Sequence, residues 1–464
     1  MEPVLHLFLS VSAAGIGAAS LRTECAEGTV VKQKLQNSLW MIIEKLVAVF
    51  GLMFVTSFVA KYVGPVTFGV IAISMLIFQF IQSVAMMGCD VILLKRIAQN
   101  HRSGIRLMVP AVMLVFAIYC VLSVIGIIVM REEMSAQAFV FICAAALACL
   151  FSAIDLINIY NEAVLNARLN VMANLTGLLI SLGIRYGISY YQLEPELLAI
   201  PIVLATFIPF VIKICVFSWY HRHSQVRPPL PRLSHIRRYS RYILQAGRSL
   251  VMSVIAITIY TRLNQLSVSW FLGLKEAGIF SVAMTLSVAW VFLPNALLAS
   301  FYPALFAERD PDVAVVRAQK LQLLVIAVSL GVILGIILVG PWFIAHFYGA
   351  AYTEAIAPMV LLSVGAMFGV LSSVMDRFII KYNGYRYLIK KTFCVLAVCL
   401  ATTVTLVPLF GITGAAISVV ITEFMAFTVL NYFFRGQPMM NIHKIFIQPG
   451  KLWFLINRTL FSGR

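Results

Sequence analysis

Two arginines within one apolar stretch are the residues of this chain with the clearest chemical potential. Arg248 and Arg262 lie fourteen residues apart, which in an α-helix places them on nearly one face, about 21 Å from each other along the axis. The planar guanidinium of arginine can donate to two phosphate oxygens at once, so this pair suits an anionic group. The alternative is that each arginine lies near a helix end and extends its side chain to the interface between lipid and water.

A second set of polar residues lies in an earlier apolar stretch. Glu44 and Lys45 are adjacent, so on a helix their side chains point about 100° apart and cannot pair with each other. Asn37, Trp40 and Glu44 are spaced by three and four residues and share one helix face. An amide, an aromatic ring and an acid on one face suit a cavity that binds sugar. The alternative is that Glu44 pairs with a cation of another helix and only stabilises the fold.

The remaining acids near apolar stretches are Asp155, Asp376 and Glu423. Asp155 and Asp376 are close to predicted helix ends, which favours a salt bridge at the interface for each. Glu423 is deeper and is a candidate for ion coupling, with a structural hydrogen bond as the alternative. Lys213, two turns from a predicted helix end, is expected to extend its amine to the interface.

The composition of the chain indicates where these residues lie. Of its 464 residues, 61% are hydrophobic and 11% are charged, and no water-soluble fold buries so large an apolar fraction. The net charge of +17 does not indicate nucleic-acid binding, because the cations lie in connections between apolar stretches and not on one soluble face. The eight cysteines have no metal-ligand spacing. The sequence therefore predicts an integral membrane protein with neither a metal site nor a nucleic-acid partner.

Apolar stretches of membrane-spanning length recur along the chain. A bilayer core of about 30 Å needs about 20 apolar residues per helix, and about 12 stretches meet that length. Threaded alternately from a cytoplasmic N-terminus, they put most of the 35 Lys and Arg residues on the cytoplasmic side, which predicts that both termini are cytoplasmic. The approximate centres are Phe50, Leu76, Ala117, Ala144, Leu179, Phe207, Ile255, Ala289, Gly331, Gly365, Val398 and Met425.

An internal repeat divides the stretches into two sets of six. The longest connection, Tyr220 to Tyr242, is basic and contains three prolines. At an offset of 209 residues, Gly64 and Gly69 of the first set coincide with Gly273 and Gly278 of the second. Because both copies enter the membrane from the same side, the halves are predicted to be parallel repeats. The predicted regions are a non-native or signal-like extension (1–30), an N-lobe (31–235), a C-lobe (236–434) and a basic cytoplasmic tail (435–464).

Three segments in this order resemble the polysaccharide transporters, or O-antigen flippases, of the multidrug/oligosaccharidyl-lipid/polysaccharide exporter superfamily. The similarity covers roughly Lys32 to Phe434. The family often places an acid two residues after the cation of the seventh helix, whereas this chain has Asn264 there and lacks that Arg–Asp pair. The segments are Asn37 to Lys45 with Val59 to Gly69 and Gly88-Cys89-Asp90, then Tyr260 to Gln265 with Phe271 to Gly273, Ala277 to Ser281 and Phe301-Tyr302-Pro303, and last Val407 to Ala416.

The resemblance implies an all-α polytopic membrane protein whose two six-helix lobes surround a central cavity. It implies a flippase and not an enzyme, which moves an undecaprenyl-pyrophosphate-linked oligosaccharide, such as an O-antigen unit, from the cytoplasmic to the periplasmic leaflet of a bacterial inner membrane. Expected partners are membrane lipids, a polysaccharide polymerase and a chain-length regulator. Glu423 is the candidate for coupling to a proton or sodium gradient. The candidate cavity residues are Arg262, Arg248, Glu44, Lys45, Trp40, Asn37 and Asn264.

Two other functional classes are alternatives to a flippase. An enzyme of the same pathway needs a nucleotide-sugar site or a large external loop, and the sequence contains neither; the P-loop signature is also missing, so this chain does not hydrolyse ATP to drive transport. The closer alternative is a cation-coupled multidrug antiporter of the same superfamily. Cationic drugs call for acids in the cavity, whereas the predicted seventh helix offers arginines, which favours an anionic substrate.

Overall fold

The computed structural model describes residues 26–131, 135–164, 166–223, 233–434 and 439–443, and it contains no β-strand in these ranges. Most of the predicted N-terminal extension and of the predicted basic tail lies outside the described residues, as does the middle of the Tyr220 to Tyr242 connection. The α-helices are α1 Ala26–Met86, α2 Cys89–Gln99, α3 His101–Arg131, α4 Ala136–Ile154, α5 Ile157–Ala163, α6 Ala167–Tyr190, α7 Ala199–His223, α8 Leu233–Leu272, α9 Leu274–Val288, α10 Phe292–Ala307, α11 Pro311–Phe343, α12 Ile356–Lys381, α13 Tyr385–Phe427 and α14 Val429–Tyr432.

Several of these helices are long and apolar enough to cross a membrane. Within the described ranges, nine such spans are present, so the chain is an all-α, multi-pass membrane protein. The predicted count of about 12 spans is not confirmed. The two longest spans, Glu44–Met86 and Tyr385–Tyr432, each cover two of the predicted helix centres, and the backbone leaves the helical conformation between those centres at Gly64 and Gly411.

Contacts divide the chain into two compact units. The first comprises the described residues up to Val63 together with Val70–Thr258, and the second comprises Gly64–Gly69 together with the described residues from Ile259 onwards. Each unit has its own apolar core, around Leu93 and Tyr119 in the first and around Val374 in the second. The predicted boundary between lobes after residue 235 stays a prediction.

Small residues let helices approach closely in the first unit. On α4, Ala145, Ala148 and Ala153 are buried, and the hydroxyl of Tyr119 on α3 donates to the Ala146 carbonyl over 2.8 Å. Helices in lipid gain little from apolar burial against one another, so close backbone packing and interhelical hydrogen bonds hold them together. The alanine-rich stretch of α4 therefore serves as a packing surface.

The first pair of repeat glycines has a matching backbone conformation. Gly64 has φ 75° and ψ 170° within α1, and Gly273, between α8 and α9, has φ 93° and ψ 179°. Positive φ of this kind is readily adopted only by glycine. The 209-residue offset thus pairs two positions that break their helices in the same way.

The second pair of repeat glycines makes reciprocal contacts inside the second unit. A Cβ atom built on Gly69 would lie 1.9 Å from the carbonyl oxygen of Leu274, and one built on Gly278 would lie 2.0 Å from the carbonyl oxygen of Pro65. Pro65 and Leu274 are themselves equivalent at the 209-residue offset. Each copy therefore presents a glycine to the backbone of the other copy, and neither position has room for a side chain.

We predict that Gly69→Ala and Gly278→Ala each destabilise the protein by about 1–3 kcal/mol, because the added methyl group overlaps a backbone carbonyl that cannot rotate away. Thermal denaturation of detergent-solubilised protein, followed by size-exclusion chromatography, measures the effect. Gly335→Ala on α11 is the matched control, since a Cβ there meets nothing within 4 Å. Equal melting temperatures for Gly69→Ala and Gly335→Ala would contradict the close approach.

Candidate functional site

A cavity of about 360 Å³ lies among α8, α9, α10, α12 and α13 in the second unit. We call it the Glu423 cavity, because Glu423 contributes a carboxylate to its lining. Small residues of α12 line one side of the cavity, namely Gly365, Ala366 and Gly369. A Cβ atom built on Gly369 would lie 3.3 Å from Oε2 of Glu423. The described lining is Tyr260, Thr261, Asn264, Met284, Ser287, Val288, Val291, Asn295, Leu362, Gly365, Ala366, Gly369, Val370, Ser373, Cys399, Val419, Thr422 and Glu423.

Asn264 is held at the wall of the Glu423 cavity by α13. Its side chain is buried, its Oδ1 accepts a hydrogen bond from the Thr403 hydroxyl over 2.8 Å, and its Nδ2 lies 3.5 Å from the sulfur of Cys399. Thr403 lies 2.9 Å from the hydroxyl of Ser418. The amide therefore belongs to a polar network that ties α8 to α13 within the apolar interior.

Glu423 is partly buried on α13 and faces the same cavity. Lys391 and Asp376 lie close enough to act on its charge, and these two residues are joined by an ion pair of 2.6 Å. Lys391 also donates to the Ser372 hydroxyl over 3.2 Å. A carboxylate beside hydroxyls, an amide and an ion pair can exchange a proton or contribute to a hard-cation site, whose ligands are oxygen atoms. Its role in ion coupling stays a prediction.

Arg248 and Arg262, the predicted pair of phosphate-binding arginines, lie on α8. Arg262 is half-buried, and helix geometry puts its side chain about 160° from those of Tyr260 and Asn264, so it points away from the Glu423 cavity. The side chain of Arg248 lies outside the described residues. The proposal that both arginines face one substrate path stays a prediction.

The first-helix residues meet α6 in the first unit. Oε1 of Glu44 accepts a hydrogen bond from Nδ2 of Asn174 over 2.8 Å, so its partner is an amide and not the cation weighed in the sequence analysis. The guanidinium of Arg168 lies over the ring of Trp40, 5.1 Å from its centroid. Trp40 and Glu44 thus contact the same neighbouring helix. Lys45 is exposed, and the side chain of Asn37 lies outside the described residues.

Two ion pairs lie near the ends of α4 and α12. Lys213 donates to Asp155 over 2.7 Å and to Asn158 over 3.1 Å, and Lys391 pairs with Asp376. The salt bridges predicted for both acids are confirmed, and their location at the membrane interface stays a prediction. The expectation that Lys213 reaches the interface is wrong: its side chain is 2% exposed, because a carboxylate and an amide within reach compensate for its loss of water.

Sequence analysis missed a second cavity, of about 480 Å³, in the first unit. We call it the tyrosine cavity; its lining is Phe58, Lys61, Tyr62, Tyr186, Ser189, Tyr190 and Gln192. The rings of Tyr186 and Tyr190 stack with centroids 5.9 Å apart, and Phe58 meets Tyr186 edge-on at 5.7 Å. The spacing of two tyrosines by four residues at the end of α6 was the available signal.

No metal cluster is recognisable in the part of the chain that the structure describes, where no three His, Cys, Asp or Glu side chains come together. The polar groups of the Glu423 cavity are instead one carboxylate, amides, hydroxyls and a thiol. Such a set is suited to hydrogen bonding and to hard ions, and not to the soft thiolate chemistry of zinc.

Solved structures with the same fold are transporters. An inward-facing multidrug resistance MATE family transporter of the MOP superfamily matches 87% of this chain and 99% of its own, with a TM-score of 0.65 and 14% identity. The lipid II flippase MurJ in an inward closed conformation matches 93% of each chain, with a TM-score of 0.65 and 12% identity. At these identities the likeness is one of fold.

A sequence relative matches part of the chain. The probable flippase AglR of Haloferax volcanii is 26% identical over 170 residues, which is 35% of this chain and 35% of that protein. The matched region thus spans about a third of the relative's length.

The family is shown by a longer match. A family model described as polysaccharide biosynthesis protein matches residues 58–357, which is more than half of the chain and includes the helix breaks at Gly64 and Gly273, the tyrosine cavity residues and the α8 and α9 walls of the Glu423 cavity. This chain therefore belongs to the polysaccharide biosynthesis protein family.

Proposed function

We propose that this chain is a flippase that moves a lipid-linked oligosaccharide from the cytoplasmic to the periplasmic leaflet by alternating access. The observation that carries the proposal is that a member of a polysaccharide biosynthesis family consists of membrane-spanning helices with a transporter fold. The similarity to a probable flippase supports it. The substrate class is an undecaprenyl-pyrophosphate-linked unit of O-antigen or a related surface polysaccharide.

The chemistry of the substrate explains why such a protein is needed. A pyrophosphate and several sugars are strongly hydrated, and moving charge through hydrocarbon without a protein path costs many times the thermal energy. A flippase replaces water with fixed donors. Arg262 is the strongest candidate, since its fork matches phosphate oxygens and helix geometry points it away from the polar network of the second unit.

Energy for directional movement comes from an ion gradient in this proposal. Glu423 is the carboxylate of the Glu423 cavity, and Asn264, Thr422 and Tyr260 are among the polar residues that line it. Binding of a proton or sodium ion at Glu423 changes the charge of the cavity between the inward and outward states. The chain acts in the bacterial inner membrane with cytoplasmic termini, alongside a polymerase and a chain-length regulator.

The first prediction from the proposed function tests that function itself. When the gene is deleted in its host, the production of surface polysaccharide stops and undecaprenyl-pyrophosphate-linked oligosaccharide accumulates. Supplying the full chain restores both quantities to normal. Polysaccharide banding on gels and mass spectrometry of extracted lipid are the measurements. Unchanged polysaccharide after deletion, together with increased sensitivity to cationic drugs, would instead support the multidrug antiporter.

A second prediction concerns Arg262. Arg262→Ala reduces complementation at least about tenfold, because the path loses a bidentate phosphate donor, while Arg262→Lys keeps part of the activity through its charge. Lipid-linked oligosaccharide is quantified at matched protein levels in the membrane. The control is Arg309→Ala, which removes an exposed arginine next to α10. Full activity in both Arg262 variants would show that this arginine only anchors its helix.

A third prediction concerns coupling. Glu423→Gln keeps the shape of the side chain but removes its charge, so transport into proteoliposomes becomes insensitive to an imposed proton or sodium gradient. Initial rates with and without each gradient are compared for wild type, Glu423→Gln and the control Glu354→Gln, which changes an exposed acid. A Glu423→Gln variant that still responds fully to the gradient assigns coupling to another group.

A further inference from the structure

The tyrosine cavity has the dimensions and lining of a ligand site. Its volume of about 480 Å³ is within the range of small-molecule sites, about 300–1000 Å³. The lining combines four aromatic rings with the side chains of a lysine, a serine and a glutamine. Tyr186 contacts the rings of both Phe58 and Tyr190. It is formed where α1 approaches Gly64 and where α6 ends, two segments that the Tyr62 hydroxyl ties together by donating to the Leu193 carbonyl.

The aromatic rings offer open faces to a ligand. Tyr186 and Tyr190 are four residues apart on α6, are stacked within 22° of parallel, and are 46% and 68% exposed. An aromatic face carries partial negative charge and attracts polarised C–H groups and cations. The C–H face of a pyranose ring has this character, so the two tyrosines form a platform on which a sugar ring can stack.

The polar groups beside the platform match sugar hydroxyls. The Oγ of Ser189 is buried and has no hydrogen-bond partner among the described residues, although a buried hydroxyl is normally paired. Gln192 has φ 49°, a conformation unfavourable for a side-chain-bearing residue, and its amide lines the cavity. Vicinal sugar hydroxyls both donate and accept, and so can satisfy a serine hydroxyl and an amide together.

We propose that the tyrosine cavity binds a pyranose unit of the translocated oligosaccharide, stacked on Tyr186 and Tyr190 and hydrogen-bonded by Ser189 and Gln192. The inference rests on the proposed flippase function for the identity of the sugar. Lys61 is an exposed residue of the lining, and its positive charge favours acidic sugars or the phosphate that follows the first sugar. In the predicted orientation the cavity opens on the periplasmic side, where it receives the sugar portion as it leaves the protein.

Tyrosines near a helix end also occur as a belt at the membrane interface. A neighbouring tyrosine in this chain distinguishes a belt from a sugar site. Tyr191 follows Tyr190 directly, is 73% exposed and meets Tyr190 edge-on at 5.3 Å, but it does not line the cavity. A belt function involves Tyr191 at least as much as Tyr190. A sugar site involves Tyr190 and leaves Tyr191 dispensable.

Binding to the purified full chain in nanodiscs tests the proposal. The probe is the oligosaccharide released by mild acid from the lipid-linked pool of the host, measured by saturation-transfer NMR and calorimetry. Tyr190→Ala and Tyr186→Ala are expected to weaken binding roughly five- to tenfold, through the loss of a stacking face. Tyr190→Phe and the control Tyr191→Ala stay within about twofold of wild type, whereas Ser189→Ala with Gln192→Ala weakens binding without removing a ring.

The outcomes separate this site from the proposed function. The sugar site alone is overturned if the wild-type chain transports its substrate while Tyr190→Ala and the Ser189→Ala, Gln192→Ala variant bind the oligosaccharide as tightly as wild type. Equal weakening by Tyr190→Ala and Tyr191→Ala also overturns it, because Tyr191 does not line the cavity and the loss of binding then does not come from the proposed stacking face. If the wild-type chain does not transport lipid-linked oligosaccharide, the flippase function is overturned. Oligosaccharide binding by the same variants then still decides whether the cavity holds sugar. If the tyrosine variants do not fold, the Ser189 and Gln192 variant decides.

Discussion

A polar group placed in hydrocarbon needs a partner inside the protein, and the interior of this chain follows from that constraint. Lys213 with Asp155 and Lys391 with Asp376 neutralise each other near the ends of α4 and α12. The amide of Asn264 is satisfied by Thr403 and lies against Cys399. In these contacts each charged or polar group is paired with a neighbouring side chain. Glu423 differs, because its carboxylate faces a cavity, and this makes it a functional candidate.

Glycines set the second constraint, since helices held by close packing need positions without side chains. Gly64 and Gly273 break their helices with positive φ, and Gly69 and Gly278 admit a backbone carbonyl from the other repeat. The glycine contacts also affect the Glu423 cavity through α9. This helix starts directly after Gly273, and its other end contributes Ser287 and Val288 to the lining. The orientation of that wall is therefore fixed by backbone contacts.

Sequence patterns predicted what depends on local periodicity and on charge. The apolar stretches, the coincident glycines and the salt bridges of Asp155 and Asp376 are of this kind. The partner of Lys213 was missed, because which acid lies within reach of a lysine depends on the packing of α4 against α7. The tyrosine cavity was missed for the same reason: Phe58 and Tyr186 are far apart in the chain, and only tertiary packing joins them. The predicted count of about 12 spans is not confirmed. Two of the nine spans in the described residues continue through a glycine break, and each of them covers two predicted centres.

Under the proposed function, α8 is the element through which an ion could act on the substrate. One face of α8 carries Tyr260 and Asn264 at the Glu423 cavity, with Asn264 bonded to α13, and the opposite face carries Arg262. A helix transmits a shift along and about its axis as a rigid body, so an ion that favours one arrangement of α13 also favours one position of Arg262. Such coupling is reciprocal: substrate bound at Arg262 must change the affinity of Glu423 for its ion by the same factor.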